Sequence, residues 1–449
     1  MSALEAARDH FLGSSLAFAA TAGSRDPAWL QSLRAEAAAR FAEQGLPSTK
    51  LEEWRYTNLT PLAKLRFEPP GSAPAPVTRG DVEALCFPVF ACSVFVFVDG
   101  RFRPELSSPR ALSGSLRVES LAELRASAPE RLAGQLGRLA DPKRHPFVAL
   151  GTACLDDGAC LFVPRATDVV QPIHVVQIAS GLAPDRICHP RLLLVAEAGS
   201  HVTVIQDFVS LAGARGFSNA VAEVTIEQGA AVDLVLLQRE NAESFHVSNL
   251  EVRIGRDARF AAHTLTLGGG FVRNDLNAVL EDEGASLRLD GLTVAGGNQL
   301  VDNHTVVDHA MPHGESRQRY KGVLGGHARG VFRGRVVVRP GAQKTNAEQS
   351  SANILLSEGA EIDAKPQLEI WADDVKCSHG ASIGRLDENA LFYLRSRGIA
   401  QAAARDLLVQ GFASEVLASL PSPALAEGLT ELLRDQMRGA GAGEAAHEV

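Results

Sequence analysis

The sequence predicts a mainly β protein, a stacked β-solenoid set between an N-terminal and a C-terminal helical segment. Three observations carry that reading. From about residue 90 to 385, short β-rich runs alternate with polar, glycine-bearing turns, and helical patterning is confined to the two ends. Within that stretch one turn unit recurs as "EAGSHVTV", "EQGAAVDL", "GRDARFAA" and "DEGASLRL". Its small residue falls at Ser200, Ala230, Ala258 and Ala285, a spacing of about 27 to 30 residues. The unit returns less regularly as "RPGAQKTN" and "SEGAEIDA". Each copy is a polar corner, usually with a glycine for permissive dihedrals, followed by an alternating strand that cannot bury its own face alone. Stacking the coils buries those faces. A jelly-roll or cupin-like sandwich also yields many short strands, but a period persisting through six turn units favours the solenoid.

Residues 1–80 read as a helical domain with a linker, 81–385 as the core and 386–449 as a second helical domain. Near the start, Asp26-Pro27 predicts an N-cap with proline at the first helical position, and Gly45 a stop. Between them Trp29, Leu30, Leu33, Ala37 and Phe41 keep a helical spacing. In "PSTKLEEWRYTNL", Thr49 and Glu52 fit a capping box, and Trp54 and Tyr56 fit packing roles. The proline-rich "EPPGSAPAPVTRG", 68–80, marks the linker. "VFVFVDGRFR" then predicts a strand, an Asp99-Gly100 turn and a second strand. After the core, "LDENALFYLRSRG" ends at Gly398, "IAQAAARDLLVQGFASEVL" follows, and Ser422-Pro423 opens a third helix. Leu407, Leu408, Phe412, Val416 and Leu417 form an apolar stripe suited either to packing on the solenoid's end or to docking a partner. The composition of "GAGAGEAAHEV" predicts a disordered tail.

A net charge of −9 supplies no diffuse basic field, so nucleic acid is not an expected partner. "MSALEAARDHFLGSS" lacks the basic head and apolar core of a signal peptide, and the longest apolar run, "PVFACSVFVFV", is about half a membrane span. The expectation is a soluble, cytoplasmic chain that does not enter a membrane. None of the six cysteines, at 86, 92, 154, 160, 188 and 377, forms a C-x-x-C, and cytosolic cysteines are not expected to pair. Five sit in or beside apolar stretches and read as small buried hydrophobes. No P-loop, G-x-S-x-G or H-E-x-x-H pattern occurs, which argues against nucleotide hydrolysis and the common hydrolase chemistries.

Two stretches hold ligand-type residues. In "ADDVKCSHGASIG" a strand would point Cys377 and His379 to the same face, with Lys376 adjacent to favour the thiolate. Two donors alone make a poor site, because iron–sulfur clusters and structural zinc usually take about four. Val375 shares that face, which also allows Cys377 to be core packing. The second stretch, "DNHTVVDHAMPHGESRQRYKG", gathers Asp302, His304, Asp308, His309 and His313. These could hold a divalent metal or supply acid and base, making the chain a metal-dependent β-solenoid enzyme, or they could satisfy strand turns. Lys344, Asn346, Gln349 and Asn353 form a polar face that reads as a structural ladder.

The run from "DNHTVVDHAMPHGESRQRYKG" through "KTNAEQSSANILLSEGAEIDAKPQLEIWADDVKCSHGASIGRLDENALFYLRSRG" resembles the core of the SufB/SufD family of the SUF iron–sulfur cluster assembly system. "PSTKLEEWRYTNL" is similar to that family's N-terminal segment. The resemblance is to the SufD branch, through "ADDVKCSHGASIG" and through the absence of the cysteine-rich motif often found near the start of SufB. It implies a right-handed parallel β-helix core flanked by helical domains, and a non-catalytic scaffold rather than an enzyme. It implies pairing with a SufB-like paralogue through the core and docking of the SufC-like ATPase on the C-terminal helices. By position, His379 matches the family histidine associated with a transient cluster shared at the subunit interface, and Cys377 the neighbouring family cysteine. A homodimer is the alternative pairing for an open solenoid end. A flavin in the complex has no support in these residues.

Overall fold

The computed structural model describes residues 2–71, 75–86, 92–110, 116–181, 185–211 and 213–441. Residues 72–74 of the expected linker and 442–449 of the expected tail lie outside the described residues. Among the described residues the strands form two ten-stranded sheets. From Gly216–Ile226 onward, consecutive strands fall in opposite sheets, and each pairs in parallel with the strand two before it. Register fixes the coil length. Ala231 pairs with Arg259, Arg259 with Ser286, Ser286 with Glu315 and Glu315 with Asn346. The shortest of these steps is 27 residues (259 to 286) and the longest 31 (315 to 346). The recurrent turn therefore marks a parallel solenoid, and the sandwich alternative is excluded.

The corners explain the small residue. Gly199, Gly229 and Gly284 have φ of 69°, 66° and 71°, and Asp257 takes the same left-handed conformation at 52°. That turn tucks the next side chain under the coil, where Ser200, Ala230, Ala258 and Ala285 are all buried. The apolar interior runs the length of the solenoid, from Phe95 and Ile173 to Val338 and Ala372.

Helices cover both flanks, so many strands read as continuous apolar runs; Arg191–Ala196 is buried throughout. On one flank, Phe11, Phe41, Trp54 and Phe67 pack on Phe217, Val247 and Phe271. On the other, helices Gln401–Leu417 and Pro423–Gly441 set Val409, Ala413, Val416 and Leu429 on Ile205, Val235, Leu265 and Leu292. The C-terminal stripe thus lies along the solenoid's side rather than over its end, and Leu407 faces outward at 48% exposure.

Two expected caps are replaced by ion pairs. Helix Ala28–Gln44 starts after Pro27 with no side-chain cap, and Asp26 is buried against Arg34 (2.7 Å) and Arg125 (3.1 Å). Thr49 and Glu52 make no capping box; the short helix Glu52–Trp54 has none, and Glu52 reaches Lys365 at 2.5 Å. Long-range charge pairing wins over local capping at both places. Gly45 does end its helix (φ 65°), and Asp99-Gly100 does turn the strand, pairing Phe97 with Phe102.

The two ends of the solenoid differ. The first ends in short antiparallel strands, Arg101–Phe102 and Arg117–Ser120. The last ends in two full-length parallel strands, Glu361–Ile370 and Lys376–Gly384, each at the edge of its sheet.

Candidate functional site

The edge strand Lys376–Gly384 pairs in register with Asn346–Leu355, so its side chains continue the ladders of the coils before it. One ladder runs Val232, Phe260, Leu287, Ser316, Ala347 and ends at Cys377. The next inward one runs Leu234, Ala262, Leu289, Gln318, Gln349 and ends at His379. Both predicted ligand residues therefore occupy core-facing positions of a coil that no further coil covers. That position accounts for their burial: Cys377 is half-buried and packs against the main core, as does Val375, whereas His379 is exposed.

Burial pushes the Cys377 thiol above its ordinary range, opposed only by a hydrogen bond involving the Ala347 backbone. Lys376 is not among the groups that act on it, so the expected thiolate-favouring influence is not found. As a free side chain Cys377 is a neutral thiol, and a metal must displace its proton to bind.

The residues of the second stretch separate. They lie on or just after strand Leu300–His309, whose alternation puts Asp302, His304 and Asp308 on the outer face and His309 on the inner one. Asp302 is fully buried on the outer face, beside Arg273 (2.6 Å) and His304 (2.9 Å). Burial would raise the Asp302 carboxyl, but His304 and Arg273 outweigh it and hold it down at about 2. Asp308 pairs with Arg339 at 2.6 Å. His309 points into the core, with Nε2 2.8 Å from Ser316 Oγ, and burial lowers its pKa to about 4. His313 sits at an exposed corner with φ 59°. Among the described residues, no group of three or more His, Cys, Asp or Glu is placed to hold a metal. The five do not form one centre, so the enzyme reading loses its geometric basis.

Residues 178–412 match the family described as SUF system FeS cluster assembly, SufBD core domain. Residues 19–175 match the SufBD protein N-terminal region. The chain belongs to the SufBD family. It is 33% identical over 388 residues to an iron–sulfur cluster assembly SufBD family protein of Synechocystis, covering 85% of each chain. It is 33% identical over 394 residues to the iron–sulfur cluster assembly protein SufD of Escherichia coli, covering 87% of this chain and 86% of that one. The SufD of Bacillus subtilis is 27% identical over 424 residues, covering 92% of this chain and 95% of that one.

Two features of this SufBD chain were not legible as sites. The first is a clamp: Glu52, Trp54 and Thr57 reach Lys365, Arg273 and Asp302, tying the N-terminal segment to three coils of the solenoid. The local sequence gives Trp54 a packing role, and nothing in it signals a partner 219 residues away (54 to 273). The second is the polar interior beneath the open end. Gln349, Ser351 and Asn353 are buried there, and Gln349 stands on a ladder that is apolar in earlier coils, at Leu289, Ala262 and Leu234. The alternation in "NAEQSSANIL" holds that signal.

Proposed function

We propose that this chain is a non-catalytic, cytoplasmic scaffold of a SUF-type iron–sulfur assembly complex. Its open solenoid end pairs with a SufB-like paralogue, and its C-terminal helices dock a SufC-like ATPase. The cluster under assembly is cargo, held between subunits by His379 with Cys377 as an accessory donor. The observation that carries this reading is the edge strand itself. It presents a core-facing Cys-x-His pair at an open end, and two donors require a partner to complete a cluster site.

Other features support the same reading. Ile370, Trp371 and Ile383 are 40%, 67% and 52% exposed on or beside the two edge strands, an apolar surface suited to a paired β-rich subunit. A groove of about 480 Å³ lies between the two long C-terminal helices, lined by Leu407, Gln410, Ser414, Glu427 and Thr430. Those helices also contact the solenoid's flank, so a motion imposed on them by an ATPase reaches the β core.

The test is anaerobic co-purification of the tagged chain with and without His379→Ala. The expected result is recovery of an ATPase and a paralogous β-rich subunit with both chains, and loss of cluster only with the variant. Full cluster maturation with His379→Ala would overturn the ligand role. A partner-free chain would overturn the scaffold.

A further inference from the structure

The interior face of the sheet that ends in Lys376–Gly384 changes character toward its open end. Its central ladder is apolar through Leu234, Ala262 and Leu289, then becomes Gln318, Gln349 and His379. Gln318 is fully buried; its Oε1 accepts a 2.7 Å hydrogen bond from Thr305 Oγ1, while its Nε2 has no partner. Gln349 is 1% exposed, yet neither Oε1 nor Nε2 of its carboxamide has a partner. A leucine here, as at Leu289 two coils earlier, would escape the cost of burying an unpaired amide. The opposite wall makes room for this side chain: a Cβ at Gly334 would lie 2.1 Å from Gln349 Nε2. A residue that costs stability and has space cleared for it calls for a bonding partner, and the adjacent polar group on its ladder toward the open end is His379.

We propose that Gln349 is a positioning residue for His379. Paired residues on neighbouring parallel strands lie about 4.8 Å apart, within reach of a carboxamide. A turn of the carboxamide, whose Oε1 is unpartnered in the structure, lets it accept the imidazole N–H that faces inward. This holds the ring in one tautomer and leaves the other nitrogen, with its lone pair, facing out of the open end. That arrangement is the one a metal-binding histidine needs. The inference rests on the ligand role proposed for His379, but the bond itself is measurable without any metal.

The experiment uses the full chain labelled with ¹⁵N-histidine, at a pH where the imidazole is neutral, with His379 assigned by its disappearance in His379→Ala. The parent chain should show a single dominant tautomer. Gln349→Leu should shift the tautomer ratio by roughly five- to tenfold, the scale of one hydrogen bond. Gln349→Glu keeps the acceptor oxygen and should restore the parent ratio. An unchanged ratio in Gln349→Leu would overturn the positioning role. If the leucine variant does not fold, a His379 that shows no tautomer preference in the parent chain overturns it equally. Cluster capture by the intact complex is then measured separately. Failure of His379→Ala to affect it removes the ligand reading and leaves the Gln349–His379 bond standing.

Discussion

The guanidinium of Arg273 lies 3.8 Å from the centroid of the Trp54 ring, which joins the N-terminal segment to the middle of the solenoid. Arg273 is 1% exposed and also donates to Asp302 (2.6 Å), Asp275 (2.8 Å) and the Glu53 carbonyl (2.9 Å). Thr57 Oγ1 donates to the same Asp302 carboxylate. A buried arginine with two carboxylates and an aromatic face satisfies its donors locally, which is the condition for burying charge at tolerable cost.

Removing either half of this clamp should loosen the N-terminal segment. Trp54→Ala should cost about 3–5 kcal/mol of stability. Arg273→Leu should cost a similar ~3–5 kcal/mol, because it strands the two carboxylates. Chemical denaturation measures the loss, and limited proteolysis should show new cleavage near residues 45–60. Unchanged midpoints with both variants would show that the clamp contributes nothing.

Acid should attack the same place. The Asp302 carboxyl is held at about 2, below its ordinary value of 3.8, by His304 and Arg273 against the opposing effect of burial. A depressed carboxyl pKa stabilises the fold above its unfolded value, and that contribution drains as pH falls from about 4 to about 2. The loss over this window should be on the order of 2 kcal/mol in the parent chain and absent in Asp302→Asn. Parallel acid-unfolding curves for the two chains would count against it.

Glu251 should behave in the opposite sense. Burial raises its carboxyl to about 7, with the 2.7 Å hydrogen bond from Asn277 only partly offsetting it. The folded state therefore binds a proton that the unfolded state releases near 4.5, so stability falls as pH rises from about 4.5 to 7. Glu251→Gln keeps the neutral shape and the acceptor for Asn277. It should stabilise the chain at pH 8 by roughly 1–3 kcal/mol and have little effect at pH 4. Calorimetry at the two pH values distinguishes this from a uniform effect.

Cys377 should be a slow nucleophile. Its thiol is pushed up by burial, so its alkylation at pH 7 should trail that of an unstructured cysteine peptide and accelerate only at alkaline pH. Mass spectrometry after a short iodoacetamide pulse reads the rate. Rapid labelling at neutral pH would mean that the thiolate is stabilised at this edge after all.

Much of the architecture was legible because it is periodic. The corners at Ser200, Ala230, Ala258 and Ala285 repeat at the coil length, and a buried small residue after a left-handed turn is a local requirement. The Asp99-Gly100 hairpin and the Gly45 and Gly398 helix stops are local in the same way. Asp26 and Glu52 misled because each has a good local use as a cap but is taken by charged partners, Arg34 and Arg125 for Asp26 and the distant Lys365 for Glu52. The 302–313 group misled for a related reason: Asp302 and Asp308 are taken by Arg273 and Arg339, and strand alternation turns His309 to the inner face.

By itself the sequence determined the solenoid repeat, the helical ends and the presence of a Cys-x-His pair, since each depends on spacing over a few tens of residues. Only the tertiary structure decided that the C-terminal helices lie along the flank, that His309 and Asp302 part company, and that Cys377 and His379 close two core ladders at an open edge. Those outcomes depend on which coil is last and on what covers each face. In a stacked fold the same alternating strand is interior when another coil follows it and exposed when none does.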